Sequence, residues 1–394
     1  MKTSKSKNHF KHLDNSICMP NPSSRKIGLI LSSLHGGGAE KMMLNLASEF
    51  VKQDIQVDLI LSTKSGDYLD QVPSKVRIVN LEAHRLAKSL IPLIKHLRSN
   101  EYDCILSTGT GMNIISCLVK HFSQMDARLV IRVQNTVSRS VKTGSRPEHW
   151  LLPYFVKLLF PRADRVVAIS EGVKADLTNF TSVDSSKVDV IYNPVVTDEL
   201  YNLANKQPNH KWFEEIEDSI IIGAGRLIPE KNFETLIRAF NNFLNENQGR
   251  LIILGKGPEK SALVQLTQKL DIDEMVDFAG FVDNPYAFMN HADLFAQSPA
   301  TEGFGNVLVE AMACGTPVVS TDCPHGPAEI LNFGQYGPLV PVGDDIALAK
   351  AIEWVLERPL PSKYLQKRAT KFSSRKIKHE YDQVLFQIDT EYNA

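Results

Sequence analysis

The feature that most constrains the fold of this chain is a regular alternation of short apolar runs with stretches of helical spacing. In the first half it begins with a strand at Lys26–Leu34 and a helix from about Glu40 to Gln53. Such alternation predicts a parallel sheet covered by helices on both faces. The further strands predicted in this half are Val57–Ser62, Asp103–Thr108, Leu129–Gln134, Val166–Ser170 and Val188–Tyr192.

The alternation pauses in a polar stretch between Asn193 and Trp212 and then resumes. A helix predicted over Asn232–Asn247 places its apolar residues on one face, as a core-facing helix does. The strands predicted around it are Ser219–Ala224, Leu251–Leu254, Val276–Ala279, Leu294–Gln297 and Pro317–Ser320. Because single cores stop growing near roughly 250–300 residues, we expect two domains.

We therefore predict an α/β protein with two Rossmann-like, doubly wound parallel-sheet domains facing across a cleft. The expected parts are a disordered polar tail at 1–25, an N-terminal domain at 26–195, a linker at 196–212 and a C-terminal domain at 213–372. A last helix within 373–394 is expected to pack back on the N-terminal domain. Ligands of such sheets lie at the carboxyl ends of the strands.

Two glutamates, Glu302 and Glu310, stand on either side of a Gly-Phe-Gly turn. Gly303 and Gly305 permit a turn that residues with a β-carbon resist, and the apolar run after Asn306 predicts a helix beginning there. A helix N-terminus offers free N–H groups to an anion, and both carboxylates can point toward one cleft. This pattern predicts a site for sugar hydroxyls and a phosphate, the alternative being two solvated glutamates beside an ordinary loop.

Three glycine-rich turns follow predicted strands, which first suggests a dinucleotide-binding enzyme. Each fails the G-x-G-x-x-G pattern at its last glycine, where the chain has Lys41, Ile228 and Lys260. The P-loop pattern G-x-x-x-x-G-K-[ST] is also absent from the sequence. With both patterns excluded, the predicted ligand is a single diphosphate bound from two sides.

Basic partners for a diphosphate occur at Arg226, just past a predicted strand, and Lys231, just before a predicted helix. Both can reach the carboxyl edge of the sheet, where arginine offers a two-pronged donor and lysine a point charge. The alternative is that the two cations form surface ion pairs with Glu230 or Glu234.

Five segments, taken in order, resemble the retaining glycosyltransferases of family four, which have the two-Rossmann GT-B fold. The resemblance covers nearly everything from Lys26 to about Glu391, and its segments are Gly36–Glu40, Gly225–Asn232, Leu254–Pro258, Gly280–Phe281 and Glu302–Glu310. It implies a metal-independent, retaining transfer of a hexose or N-acetylhexosamine from a nucleotide sugar, with a UDP-sugar favoured. The implied acceptor is a saccharide or lipid-linked saccharide in cell-surface polysaccharide, lipopolysaccharide or lipid-linked oligosaccharide synthesis.

The resemblance also implies roles for individual residues, with neither a metal nor a cofactor among the bound groups. Arg226 and Lys231 would bind the donor diphosphate, Glu302 would hold donor-sugar hydroxyls, and Glu310 would hold the ribose. The other implied substrate-binding residues are Gly37 and Gly38 at the diphosphate, the backbone of Phe304, Gly305 and Asn306 at the sugar or phosphate, and Lys256, Gly257, Phe281 and Val282 beside the base.

One position departs from the family pattern. Many relatives carry a histidine near the end of the fourth strand of the N-domain, where this chain has Gln134, which cannot act as a general base. The departure favours front-face transfer, in which the leaving phosphate takes the acceptor's proton. His325 is the other histidine near the predicted chemistry, although we favour a loop role for it, and the macrodipole of its own short helix could alone explain Glu329.

Charge is distributed unevenly, since residues 1–200 hold 26 basic and 19 acidic side chains. Two segments, His84–Arg98 and His149–Arg162, mix basic residues with Leu, Ile and aromatic residues, which is typical of helices lying on a membrane surface. They could contact an anionic inner leaflet or be core helices of the N-domain. With no run long enough to cross a bilayer and no signal-peptide core, we expect a cytoplasmic protein, peripheral at most.

Other functions remain open at this stage. The chain could be a nucleotide-sugar epimerase or a phosphorylase on the same fold, although no motif for a pyridoxal phosphate lysine is evident. It could also be a non-catalytic sugar-nucleotide-binding partner of another transferase. The presence of Arg226, Lys231, Glu302 and Glu310 together favours an enzyme, and no nucleic-acid partner is expected.

Overall fold

The computed structural model describes residues 25–35, 37–123, 125–140, 151–215 and 218–387. Its N-terminal sheet has seven strands, all parallel, in the order β3-β2-β1-β4-β5-β6-β7. The strands are β1 (Lys26–Leu31), β2 (Gln56–Leu61), β3 (Arg77–Asn80), β4 (Cys104–Thr108), β5 (Arg128–Val133), β6 (Arg165–Ala168) and β7 (Val188–Val190).

Helices cover both faces of this sheet because its strands are apolar on both sides. Ile27 and Leu29 of β1 belong to one buried cluster, whereas Ile30 belongs to the cluster on the opposite face. The helices of this domain are α1 (Gly38–Val51), α2 (Leu90–Arg98), α3 (Thr110–Ser123), α4 (Val137–Ser140), α5 (Leu152–Leu159) and α6 (Glu171–Phe180). Helix α1 lies on one face, and α2, α3 and α5 pack together on the other.

The segment expected to be a linker, 196–212, holds one short helix, α7 (Asp198–Ala204), and a second, α8 (Trp212–Glu215), begins at its last residue. The Thr197 side chain caps α7 by accepting a hydrogen bond from the backbone N–H of Leu200 at 3.2 Å. Asn284 of the C-terminal domain donates to the Leu203 carbonyl at 2.9 Å, so α7 is fixed against that domain. The polar, proline-containing composition that predicted a linker therefore also accommodates a capped helix.

The C-terminal sheet has six parallel strands in the order β10-β9-β8-β11-β12-β13. They are β8 (Ser219–Ala224), β9 (Gly249–Leu254), β10 (Val276–Gly280), β11 (Leu294–Gln297), β12 (Val318–Thr321) and β13 (Leu339–Val340). Its helices are α9 (Phe233–Phe243), α10 (Lys260–Lys269), α11 (Pro285–His291), α12 (Asn306–Cys314), α13 (Pro327–Ile330), α14 (Asp345–Glu357) and α15 (Ser362–Ala369). The predicted fold class, two doubly wound parallel-sheet domains, is confirmed.

The chain passes between the domains twice, and the two passages run side by side. The backbone N–H groups of Val195 and Val196 both donate to the Phe372 carbonyl at 3.0 Å, and Ser374 N–H donates to the Val196 carbonyl at 2.8 Å. Helix α16 (Ser374–Phe386) then lies against α1, with Tyr381 fully buried in the N-terminal core. The last helix thus belongs structurally to the first domain.

Two edge strands, β3 and β13, were not predicted from the sequence. Strand β3 has only four residues with no fully buried side chain, and β13 has only two residues, so neither shows the apolar run of a central strand. Of the helices within the described ranges, none has the length and apolar character needed to span a membrane.

Candidate active site

Helix α12 begins at Asn306, as its sequence predicts, and its N-terminus opens at the carboxyl edge of the C-terminal sheet. Gly305 precedes it with a φ of +107°, a left-handed conformation that glycine adopts without strain. No side chain caps this N-terminus. Its free N–H groups are therefore available to an anion.

A second uncapped helix N-terminus lies opposite, contributed by the N-terminal domain. Helix α1 begins at Gly38, and Gly37 before it provides no side-chain cap. A Cβ placed on Gly38 would lie only 3.0 Å from Asn306 Nδ2, so the two helix ends face each other across the cleft. This arrangement brings Gly37, Gly38, Gly305 and Asn306 together. Gly36 lies outside the described residues.

The two domains also approach closely beside this point. A Cβ on Gly303 would lie 2.4 Å from the Gln134 carbonyl oxygen at the end of β5. The Ser170 hydroxyl, at the start of α6, donates to the Gly303 carbonyl at 3.4 Å. A glycine is thus required at 303 because backbone from the other domain occupies the space of a side chain. Phe304 next to it is buried and stacks on Tyr192 at 5.5 Å, so only its backbone can face a ligand.

Lys231 forms an ion pair with Glu302, which joins the loop after β8 to the loop before α12. Lys231 ends a short 3₁₀ turn at Pro229–Lys231, and its side chain lies over Gly225. Glu230 and Glu234 are therefore not its partners. Glu234 instead pairs with Arg238 at 2.7 Å.

Arg226 is exposed in the loop after β8 and has no ion-pair or hydrogen-bond partner for its side chain among the described residues. Its guanidinium is accordingly free to bind an anion at the same sheet edge as Lys231. A cation without a carboxylate partner contrasts with the paired Lys231, whose charge Glu302 already balances.

The loops after β8, β9 and β10 lie against one another at this edge. The Leu227 N–H donates to the Lys256 carbonyl at 3.0 Å, and a Cβ on Gly257 would lie 2.2 Å from the Leu227 carbonyl oxygen. Lys256 Nζ lies 5.5 Å from the centre of the Phe281 ring, which is 57% exposed. Val282 packs against the hydrophobic core beside them. Phe281 thus offers an exposed aromatic face at the rim of the cleft.

Glu310 is buried one turn inside α12 and is held by two residues that sequence reasoning missed. Lys41 Nζ of α1 lies 3.3 Å from Glu310 Oε1, and the Tyr286 hydroxyl of α11 donates to the same oxygen at 3.4 Å. Lys41 and Tyr286 also contact each other. Although burial disfavours the charged amine, Glu310 and Tyr286 raise the pKa of Lys41 above its usual range. Lys41 directly follows the Gly36–Glu40 segment, so its position in the first turn of α1 was a signal; Tyr286 had none.

Glu329 has a different role from the one expected. Its carboxylate accepts hydrogen bonds from the backbone N–H groups of Glu171 at 2.9 Å and Gly172 at 3.1 Å, so it caps α6 of the other domain rather than interacting with its own helix. The Tyr192 hydroxyl donates to it at 3.2 Å, and burial together with this carboxylate raises the pKa of Tyr192 to about 12. His325 packs on Gly172.

At the end of β5, the Gln134 side chain accepts a hydrogen bond from Arg132 at 3.2 Å. It is therefore engaged within its own domain. The described ranges contain no group of three or more His, Cys, Asp or Glu side chains placed to hold a metal ion. Arg226, Lys231 and Lys256 contribute positive charge at the sheet edge.

Family models match both halves of the chain. The model described as Glycosyltransferase Family 4 matches residues 36–199, and the model described as Glycosyl transferases group 1 matches residues 206–372. The chain is 29% identical over 348 residues to N-acetylgalactosamine-N,N'-diacetylbacillosaminyl-diphospho-undecaprenol 4-alpha-N-acetylgalactosaminyltransferase of Campylobacter jejuni, covering 84% of this chain and 90% of that protein. It is 26% identical to the O-antigen biosynthesis glycosyltransferase WclY of Escherichia coli, covering 76% of this chain and 80% of that protein.

Solved structures share the fold. Anabaena Alr3699/HepE in complex with UDP superposes with a TM-score of 0.75 at 22% identity, covering 92% of this chain and all of that one. The lipopolysaccharide outer core galactosyltransferase WaaB superposes with a TM-score of 0.71 at 18% identity, covering 92% of this chain and 99% of that one.

Proposed function

Because this chain belongs to the GT-B glycosyltransferases, with a Family 4 domain followed by a group 1 domain, we propose that it transfers a hexose or N-acetylhexosamine from a nucleotide sugar with retention of configuration and without a metal ion. A UDP-sugar is the favoured donor. The proposed acceptor is a saccharide or lipid-linked saccharide of cell-surface glycan synthesis. The name of the Campylobacter jejuni relative contains a diphospho-undecaprenol acceptor, and that of the Escherichia coli relative contains O-antigen biosynthesis.

The observation that carries the proposal is the concentration of anion-binding groups at one edge of the cleft. The uncapped N-termini of α1 and α12 face each other there, and Arg226 and Lys231 lie on the adjoining loops. Helix N-termini and basic side chains together favour a diphosphate. Their combined positive charge would balance the diphosphate that leaves during transfer.

Donor binding would require one ion pair to exchange its partners. Lys231 contacts Glu302, and the same two groups are the proposed ligands of the phosphate and of the sugar hydroxyls. The phosphate would replace the carboxylate on Lys231, and the sugar would replace the ammonium on Glu302. The pair thus keeps both side chains at the sheet edge, where the bond between sugar and phosphate would lie.

In the proposed reaction the bond between the anomeric carbon and the phosphate oxygen breaks, and a bond to the acceptor oxygen forms on the same face. The transition state resembles an oxocarbenium ion, so stabilising the departing diphosphate lowers the barrier directly. The acceptor's proton passes to an oxygen of the leaving phosphate. Gln134 fits this route because an amide does not take a proton at neutral pH.

The nucleoside would lie over the neighbouring loops. Glu310 would accept the ribose hydroxyls, as the buried carboxylate nearest the N-terminus of α12, and the exposed face of Phe281 would border the base with Lys256 and Val282. A UDP donor is supported by the presence of UDP in the Anabaena Alr3699/HepE complex of the same fold. The ribose hydroxyls would then replace Lys41 on the Glu310 carboxylate. The Lys41 ammonium would bind the ribose or move toward the diphosphate.

A peripheral contact with an anionic membrane is also proposed. Tyr154 and Leu158 of α5 are 68% and 57% exposed, and Ile91 of α2 is 64% exposed. Helices α2 and α5 both pack on α3, so these side chains share one face of the N-terminal domain. Exposed basic residues accompany them at Lys88, Lys95, Arg98, Lys157 and Arg162. Apolar side chains beside basic ones suit a lipid surface that carries a lipid-linked acceptor. His149 and Trp150, part of the segment predicted from sequence, lie outside the described residues.

The experiment that tests the proposed function is a thermal-shift panel of UDP, GDP, ADP and their sugars, with and without EDTA. A ligand at a hundredfold excess over its dissociation constant stabilises a protein by about 2.7 kcal/mol. A shift with one nucleotide that persists in EDTA is the expected result. A shift abolished by EDTA would contradict metal-free transfer, and no shift with any nucleotide would contradict the donor site.

A further inference from the structure

An arginine is almost completely buried at the end of β5 without a carboxylate partner. Arg132 is 1% exposed, and no ion pair to it occurs among the described residues. Its guanidinium donates instead to three neutral oxygens, those of Thr108 at 3.2 Å, Gln134 at 3.2 Å and Asn193 at 2.5 Å. Burying a charge is costly unless the charge is paired and hydrogen-bonded, so an arginine held only by neutral oxygens is an unusual arrangement.

The contact with Asn193 fixes the direction of a chain of hydrogen bonds. Arginine can only donate, so the Asn193 carbonyl oxygen must face Arg132, and the Asn193 NH₂ group must face the other way. That group donates to Asn306 Oδ1 at 2.7 Å. Asn193 is itself buried at the point where the chain leaves the N-terminal domain. The chain of hydrogen bonds therefore runs from Arg132 in the core of one domain through Asn193 to Asn306, the first residue of α12 in the other.

The same logic fixes the Asn306 carboxamide. Since its oxygen is occupied by Asn193, its NH₂ group points toward the N-terminus of α1, where Nδ2 lies 3.0 Å from the position of a Cβ on Gly38. This NH₂ group has no acceptor among the described residues. It is a further donor placed between the two helix N-termini, at the proposed diphosphate site.

We propose that Arg132 and Asn193 are positioning residues that orient the Asn306 side chain so that its NH₂ group donates to the donor diphosphate. The proposal rests on the proposed function, because it requires a diphosphate at that point. Asn306 would touch the ligand, whereas Arg132 and Asn193 act through it. Only a donor-only side chain at 132 imposes this direction, which explains the buried arginine.

The test reverses the direction of the hydrogen bond between residues 193 and 306 without removing that hydrogen bond. In Asn193→Asp, the carboxylate still accepts from Arg132 but cannot donate to Asn306. The Asn306 carboxamide would then flip, donate to Asp, and present its oxygen to the phosphates. Calorimetry measures the affinity of each variant for UDP and GDP and for the corresponding nucleosides, uridine and guanosine. A thermal melt of each variant measures its stability. Asn45→Asp is the matched control, because Asn45 donates to the neighbouring Pro194 carbonyl at 2.8 Å and does not contact Asn306.

We expect Asn193→Asp to keep its melting temperature and to bind the diphosphate about tenfold to a hundredfold more weakly than the wild type, with nucleoside affinity unchanged. Asn45→Asp should bind the diphosphate normally. Equal diphosphate affinity in both variants would overturn the proposal. If Asn193→Asp does not fold, Asn306→Asp must show the same selective loss, and its absence would overturn the proposal too. A wild type that binds neither diphosphate would overturn the proposed function itself.

Discussion

Lys41 Nζ lies 3.3 Å from Glu310 Oε1, which joins the first helix of the N-terminal domain to helix α12 of the C-terminal domain across 269 positions of sequence. The carboxylate proposed to hold the ribose is therefore shared with a lysine from the opposite domain. Nucleotide binding and the contact between the domains should depend on the same side chain. Variants at Glu310 can separate the effect on nucleotide binding from the effect on the contact between the domains.

Replacing Glu310 by Gln should weaken UDP and uridine binding alike, by about tenfold, because the ribose is common to both and a charged acceptor is lost. The melting temperature should also fall, since Lys41 loses its ion pair. Calorimetry with both ligands measures the effect, with the exposed Glu246→Gln as the control. Unchanged uridine affinity would remove the ribose role of Glu310.

Replacing Lys231 by Ala should lower turnover about a hundredfold to a thousandfold, because the leaving diphosphate loses a positive charge in the transition state. The fold should remain intact in a thermal melt. Release of nucleoside diphosphate from the donor measures turnover. Lys269→Ala, an exposed lysine of the same domain, should be fully active. Near-normal turnover in Lys231→Ala would contradict the diphosphate assignment.

Replacing Glu329 by Ala should destabilise the protein by about 1 kcal/mol, the usual cost of removing an N-cap, because the N–H groups of Glu171 and Gly172 lose their acceptor. Urea unfolding measures the loss, and Glu246→Ala should leave stability unchanged. Equal midpoints for the two variants would show that the contact between the domains contributes nothing.

Replacing Leu158 and Tyr154 together by Ser should reduce sedimentation with phosphatidylglycerol vesicles, since each large side chain contributes apolar area to the bilayer interface. Ile346→Ser removes a comparably exposed side chain, 60% accessible, from the other domain and should bind vesicles normally. If both proteins sediment equally, the α5 face is not a membrane surface.

The sequence predicts what depends on local pattern. Most central strands follow from continuous apolar runs, and the start of α12 follows from Gly305 and the apolar run after Asn306. Strand β3 was missed because an edge strand buries too little to leave such a run. Local pattern therefore identifies the two sheets and the turn that opens the site.

Contacts between the domains could not be predicted in this way. Glu329 lies in the first turn of a short helix, where a carboxylate ordinarily stabilises its own helix. Its carboxylate oxygens instead accept hydrogen bonds from the N-terminus of α6, with Glu171 lying 158 positions earlier in the chain. Tyr286 carries no motif, and it reaches Glu310 only because α11 packs beside α12. The partners of Glu329 are set by how the two domains meet, and the partner of Tyr286 by how two helices of the C-terminal domain pack together. Periodicity encodes neither arrangement.

Whether the cleft edge binds a nucleoside diphosphate can be measured by a calorimetric comparison of UDP with UMP and uridine in EDTA. Arg226, Lys231 and the helix N-termini should make UDP bind at least about tenfold more tightly than UMP, because the second phosphate gains charged hydrogen bonds. High salt should reduce that difference. Equal affinities for UDP, UMP and uridine would show that these groups do not bind a diphosphate.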